Sequence, residues 1–441
     1  MKSITPSILL ISYDFPPIVS PRGIRCASLV RYFSKIGWNV KVLTISPSPF
    51  SPKFSEESLG NLPSEVETHR VSPGIAYRLK YRSPTYFTLH EPPAESPGII
   101  RKCRYKVRDI LKRLYLNSVD TFIIPGRPIG WTLPALREGR KILATHHIDV
   151  IVSFALPATS HLIAGMLKKH HKEVIWIGDT GDPWSFGPLI SCFKSQINRK
   201  IERRLLKRME YLVVTNDAVK TAYLRLFRNL DERKILVIPQ GYSQRSIDRI
   251  SASPRKKFTI VYTGIFYDDI RNPLPFFKAL ESFKDRQDLQ VLIAGHVSYT
   301  YPLWIKEHNL DHIVTFKGEV DHDTALRLQK NATVVLNIGN MSSTQIPGKL
   351  YEYFGVRKPI LHIRNTEQDL GAELIRTCNR GIVVDNTVED IHKGVQTLLK
   401  NYKENNLATR HNLDPLPEFE WNTLWKKLED AIAHALISTQ S

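Results

Sequence analysis

The chain is predicted to fold as two α/β domains, each built on a parallel sheet. Three observations carry this expectation. Its 441 residues are too many for one ordinary core. Short apolar strands alternate with longer helical stretches through both halves, the pattern of strand–helix–strand units. That alternation is broken once, by a polar stretch rich in chain breakers, and then begins again.

In the first half, Ile8-Leu9-Leu10-Ile11 opens a buried strand over 8–12. A Pro/Gly loop, a helix through 29–33 and a second strand at 39–44 follow. Further strands are expected at 150–154, 174–177, 212–215 and 235–238. Pro239-Gln240-Gly241 ends this half, and the polar residues up to Lys257 place a hinge at 241–257. The second half reads as strand 259–263, helix 273–283, and strands 291–294, 312–316 and 333–338. After the Pro-rich 414–417, residues 421–436 read as a helix. Residues 75–125 are basic and Pro-rich, without clear strands.

Hydrophobic residues make up 42% and charged residues 24%, the balance of a soluble globular protein. No apolar run has the length to cross a bilayer, and the first one is too short for a signal peptide. Cys26, Cys103, Cys192 and Cys378 lie far apart without pairing or zinc spacing, which predicts a reduced, cytoplasmic protein. The net charge of +19 is one-sided: residues 1–240 carry +18 and residues 241–441 only +1. Such asymmetry points to a polyanionic partner: an anionic membrane face, a phosphorylated substrate or nucleic acid. No zinc-finger, RNA-recognition or helix-turn-helix pattern supports nucleic acid. Residues 101–115 (RKCRYKVRDILKRLY) form a basic stretch with a rough apolar stripe, suited to an anionic lipid surface or to packing on the first domain.

Three motifs resemble one family. Residues 8–44, with Phe15-Pro16-Pro17, Gly23 and Gly37-Trp38, are similar to the opening of the retaining GT4 (group 1) glycosyltransferases. Residues 150–186, ending in Asp182-Pro183-Trp184, resemble a bacterial polysaccharide-biosynthesis branch of that family. Residues 346–361 (IPGKLYEYFGVRKPIL) look like its nucleotide-sugar signature. The resemblance implies the GT-B fold, two Rossmann-like domains with parallel sheets facing across a cleft. Residues 1–240 would be the acceptor-binding domain, 258–412 the nucleotide-sugar-binding domain, and 413–441 a helix returning to the first.

Pro347-Gly348 before a helical run makes a helix N-terminus whose free N–H groups suit a diphosphate. Lys349 and Leu350 stand in the first turn, where the lysine opposes the helix dipole unless an anion compensates it. In the family, the residue matching Glu352 binds ribose hydroxyls, and an acid eight positions earlier meets the donor sugar. Here that earlier position is Thr344. Gly264 ends a strand and lets a ligand approach the backbone. Arg271 falls where the family keeps a cation on the diphosphate, a task its forked donors suit. The family's other cation is replaced by Ile265. Gly295 and Gly318 end neighbouring strands on the expected ligand edge.

In the first domain, Gly23 lies in the loop that faces donor phosphates in relatives. Arg25 reads either as a phosphate contact or as an ordinary first-turn arginine. Asp179, Asp182 and Trp184 suit an acceptor site, with carboxylates for hydroxyls and an aromatic face for a sugar. Asp182 reads either as the group that orients the acceptor hydroxyl or as an Asp-Pro turn former. Asp321-His322-Asp323 imitates a metal-binding pair but precedes a helix, which makes capping the simpler reading.

The resemblance therefore implies a hexosyltransferase-type enzyme (EC 2.4) in cell-surface polysaccharide or glycoconjugate synthesis. It would move a sugar from a nucleotide-diphosphate sugar to a glycan or lipid-linked acceptor, with retention. Asp182, Arg271 and Lys349 would be catalytic, without metal or other cofactor. The enzyme would lie on the inner face of the cytoplasmic membrane. Two alternatives are a nucleotide-sugar 2-epimerase and a catalytically silent GT-B protein that binds a glycan or partner.

Overall fold

The computed structural model describes residues 5–47, 62–72, 127–186, 192–253, 256–266 and 270–440. The basic stretch 101–115 lies outside them. They divide into two compact units, Met1–Pro239 with Leu424–Ser441, and Gln240–Thr423.

The first unit carries β1 (Ser7–Ile11), α1 (Pro21–Lys35), β2 (Asn39–Ile45), β3 (Glu67–Val71), α2 (Thr132–Thr145) and β4 (Val150–Ala155). Then come α3 (Thr159–Lys168), β5 (Ile175–Thr180), α4 (Cys192–Leu206), β6 (Tyr211–Val214), α5 (Asp217–Leu226) and β7 (Ile235–Val237). All pairings are parallel, in the order β3-β2-β1-β4-β5-β6-β7. Strands covered by helices on both faces are continuous apolar runs. Ile8 through Ile11 accordingly have no exposed surface.

The second unit repeats this plan with α6 (Gln244–Asp248), β8 (Phe258–Thr263), α7 (Leu274–Leu280), β9 (Leu289–Ala294), α8 (Thr300–Glu307), β10 (Val314–Gly318) and α9 (His322–Lys330). After these follow β11 (Val334–Ile338), α10 (Lys349–Val356), β12 (Ile360–Arg364), α11 (Leu370–Thr377), β13 (Gly381–Asp385), α12 (Val388–Lys403), α13 (Leu407–Arg410) and α14 (Trp421–Gln440). The order is β10-β9-β8-β11-β12-β13, again all parallel. Both sheets are doubly wound. Their strand order reverses beside β1 and beside β8, and such switch points are where ligands bind, at the carboxyl ends of the strands.

Residues 241–253, expected as a hinge, are packed into the second unit instead. Their spacing hides an apolar set: Tyr242, Ile247 and Ile250 are buried in one cluster with Leu350 and Phe354. Tyr242 also donates through its hydroxyl to the Leu416 carbonyl at 3.1 Å. Among the described residues no helix is long and apolar enough to cross a membrane.

Candidate functional site

Three glycines meet at the carboxyl edge of the second sheet. Gly264 follows β8 and donates through its N–H to the Ala294 carbonyl at 2.9 Å. Gly295, next in β9's exit, donates to the Gly318 carbonyl at 2.7 Å. Gly295 has φ +129°, and a Cβ there would lie 1.9 Å from the Gly264 carbonyl oxygen. No side chain fits, so the strand ends stay bare backbone.

Beside this edge stands α10. No side chain caps its N-terminus at Gly348, and Leu350 closes the turn by donating to the Pro347 carbonyl at 2.9 Å. Lys349 Nζ reaches Glu352 Oε1 at 2.8 Å, one turn on. Gln329 Nε2 donates to the same oxygen at 2.8 Å and to Thr263 Oγ1, also at 2.8 Å, which ties Glu352 to the end of β8. His322 Nε2 meets Glu352 Oε2 at 3.1 Å. Burial alone would raise the Glu352 carboxyl. The Lys349 charge and the His322 hydrogen bond outweigh it and hold the group well below the ordinary carboxylate range. Glu352 is therefore an anion with organised donors around it.

Arg271 enters from the loop after β8. Its Nε donates to Asn340 Oδ1 at 2.6 Å, just past the end of β11. Asn365 holds the same loop, donating to the carbonyls of Ile270 at 3.1 Å and Gly339 at 2.7 Å. The guanidinium is thus oriented at the carboxyl ends of β11 and β12. Ile265 is 39% exposed, an apolar side chain at the same edge. Thr344 Oγ1 lies 3.3 Å from Ser342 Oγ.

The first unit rearranges the expected roles. Ser20 caps α1 by accepting from the Gly23 N–H at 2.9 Å, and Pro21 opens the helix. A Cβ on Gly23 would approach the Ile18 carbonyl to 2.9 Å, so the glycine keeps the β1 exit loop tight. Arg25 and Asp179, expected to meet a phosphate and an acceptor, meet each other. Arg25 Nε and Nη2 donate to the Asp179 carboxylate at 2.8–3.1 Å, and its other donors reach the carbonyls of Pro239 at 2.7 Å and Ile238 at 3.0 Å. Both side chains are almost wholly buried, which corrects both roles: a buried pair loses too much if either partner is withdrawn. Trp184 is 3% exposed and belongs to the apolar core, so it offers no face to a sugar. Asp182 stays partly exposed in the turn between them.

A loop of this kind needs anchoring, and α4 supplies it. Glu202 accepts from the hydroxyls of Ser185 and, at 2.7 Å, Tyr223. Ser195 donates to the Ser185 carbonyl at 2.7 Å and Asn198 to the Trp184 carbonyl at 3.1 Å. Burial pushes Glu202 up to about 7 against these hydrogen bonds. Below the loop, His161 bridges Ser153 at 2.7 Å and Thr180 at 3.2 Å, and burial pushes it down to about 3.

Residues 243–413 match the family model described as glycosyl transferases group 1. The fold is GT-B. A glycosyltransferase from Rickettsia africae superposes with TM-score 0.63 at 14% identity, over 98% of this chain and 99% of the other. The sucrose-phosphate synthase of Thermosynechococcus elongatus gives 0.64 at 14% identity, over 98% and 100%. A putative UDP-N-acetylglucosamine 2-epimerase from Listeria monocytogenes gives 0.61 at 12%, over 99% and 98%. At such identities the likeness is one of GT-B architecture. No curated protein matches the chain.

Several site residues were not legible in the sequence. Asp321 does cap α9, accepting from Thr324 N at 2.8 Å, yet its neighbour His322 turns toward Glu352, thirty positions away. Gln329 orients Glu352 from 23 positions away, and Asn340 orients Arg271 from 69 positions away. Nothing in local spacing signals such partners. Among the described residues, no group of three or more His, Cys, Asp or Glu side chains could hold a metal ion.

Proposed function

We propose that this GT-B protein is a retaining glycosyltransferase. It moves a hexosyl group from a nucleotide-diphosphate sugar to a hydroxyl of a glycan or lipid-linked acceptor, in cell-surface polysaccharide or glycoconjugate synthesis. The observation that carries this reading is the group 1 match over 243–413, a segment that contains Arg271, Lys349 and Glu352. As the bond from the anomeric carbon to the diphosphate breaks, negative charge grows on the leaving oxygens. Arg271, Lys349 and the N–H groups at Gly348 oppose that charge in preorganised positions, the largest single source of catalysis in many enzymes. Glu352 takes the ribose hydroxyls, bare backbone at Gly264, Gly295 and Gly318 admits the nucleotide, and Asp182 orients the acceptor hydroxyl. No metal takes part.

Incubation with UDP- and GDP-sugars and a membrane lipid extract tests the reading. Arg271→Ala and Lys349→Ala should each lower turnover by ~10²-fold, and EDTA should leave transfer intact. Wild-type rates in both variants would remove the donor assignment. A 2-epimer formed from donor alone would instead identify an epimerase, and donor binding without turnover a silent binder.

The +18 of residues 1–240 supports a cytoplasmic enzyme resting on the anionic inner face of the membrane, with no nucleic-acid partner. Binding should appear with anionic vesicles, be absent with neutral ones, and weaken steeply with salt.

A further inference from the structure

Glu352 is held by three donors. Oε1 accepts from Gln329 and Lys349, both at 2.8 Å, and Oε2 accepts from His322 at 3.1 Å. A carboxylate offers about four lone-pair positions. Three are filled, so a vicinal diol that donates both hydroxyls finds one position too few. One present donor has to leave. Gln329 is fully buried and also bound to Thr263. Lys349 sits three residues from Glu352 on the same helix, and its ammonium has two further N–H donors for a phosphate while it stays on Oε1. His322, the first residue of α9, is 39% exposed and makes the longest of the three contacts.

We propose that His322 is a displaceable latch on Glu352. A ribose cis-diol takes its place on the carboxylate. This rests on the reading of Glu352 as the ribose partner.

The test is calorimetry of UDP, GDP and ADP with wild type and His322→Ala at one pH. The 2′-deoxy form of whichever nucleotide binds is measured alongside. Wild type should bind the ribonucleotide about fivefold more weakly than His322→Ala, the scale of one net hydrogen bond. The deoxynucleotide needs one position only, so the two proteins should bind it equally. Equal affinity for the ribonucleotide overturns the latch while leaving the donor reading intact. A His322-dependent difference that persists with the deoxynucleotide overturns displacement by the diol. Binding of none of the three nucleotides overturns the donor reading, and the latch with it.

Discussion

Glu202 sits on the inward face of α4, its carboxylate 2% exposed between the hydroxyls of Ser185 and Tyr223. Its folded pKa of about 7 lies above the ordinary 4.5, because burial disfavours the charged form more than the hydroxyls favour it. Between those values the folded state binds the extra proton, so stability falls as pH rises through the window and is flat above it. Glu202→Gln should therefore gain on wild type by up to about 3 kcal/mol as pH rises from 4.5 to 7. Urea unfolding of both proteins across that range checks it, and a constant difference would mean the carboxyl is ionised throughout. Residues of this kind were the least legible in the chain. Arg25 and Asp179 each carried a plausible ligand role in isolation. Only their meeting, 154 positions apart, shows a buried pair.

At the scale of elements, legibility followed burial only in part: β12 is almost wholly buried yet was not expected, and β10 is half-exposed yet was. β1, β4, β8 and β11 are buried along their whole length and mostly apolar, with Ser7, Ser153, Thr259, Thr263 and Asn337 as the polar members, and they stood out in the sequence. β3 (ETHRV) and β13 (GIVVD) are half-exposed strands at the sheet margins; the first is almost wholly polar and the second has only three apolar residues, so neither gives a strong strand signal. The glycine row was readable as punctuation at strand ends, but not as one adjoining set. Its tightest member gives a sharp expectation. Gly295→Ala would force a Cβ to within 1.9 Å of the Gly264 carbonyl at a φ of +129°, so the β8 and β9 ends must separate. We expect it to destabilise by at least 1–3 kcal/mol, the usual cost of such backbone strain. Gly181→Ala, where a Cβ meets nothing within 4 Å, should be nearly neutral in the same thermal melt.

For the whole molecule, two Rossmann-like parallel sheets were expected and found, while the stretch expected as a hinge falls in the second unit. Polar composition suggested a free linker up to Lys257, yet three apolar side chains within it are enough to dock that stretch. The last helix divides too: Trp421–Thr423 belong to the second unit and the residues from Leu424 onward to the first. There Leu424, Trp425, Leu428 and Ile432 have no exposed surface. Trp425 donates to Ser28 Oγ at 2.9 Å, and its ring centroid lies 4.8 Å from Arg25 Cζ. Each of those four side chains contributes about 1.5–3 kcal/mol by burial. A chain ending at Thr423 should therefore lose protease resistance in its first 239 residues, and a peptide of residues 421–440 added in trans should restore it. Full resistance of the truncated chain would show that α14 is dispensable.

The same helix sets a timetable for biosynthesis. The opening 239 residues leave the ribosome first but lack the segment that closes their core. They must wait while the second unit is made, roughly ten to forty seconds at ordinary elongation rates. During that interval the basic first unit lacks the four buried side chains that α14 adds to its core.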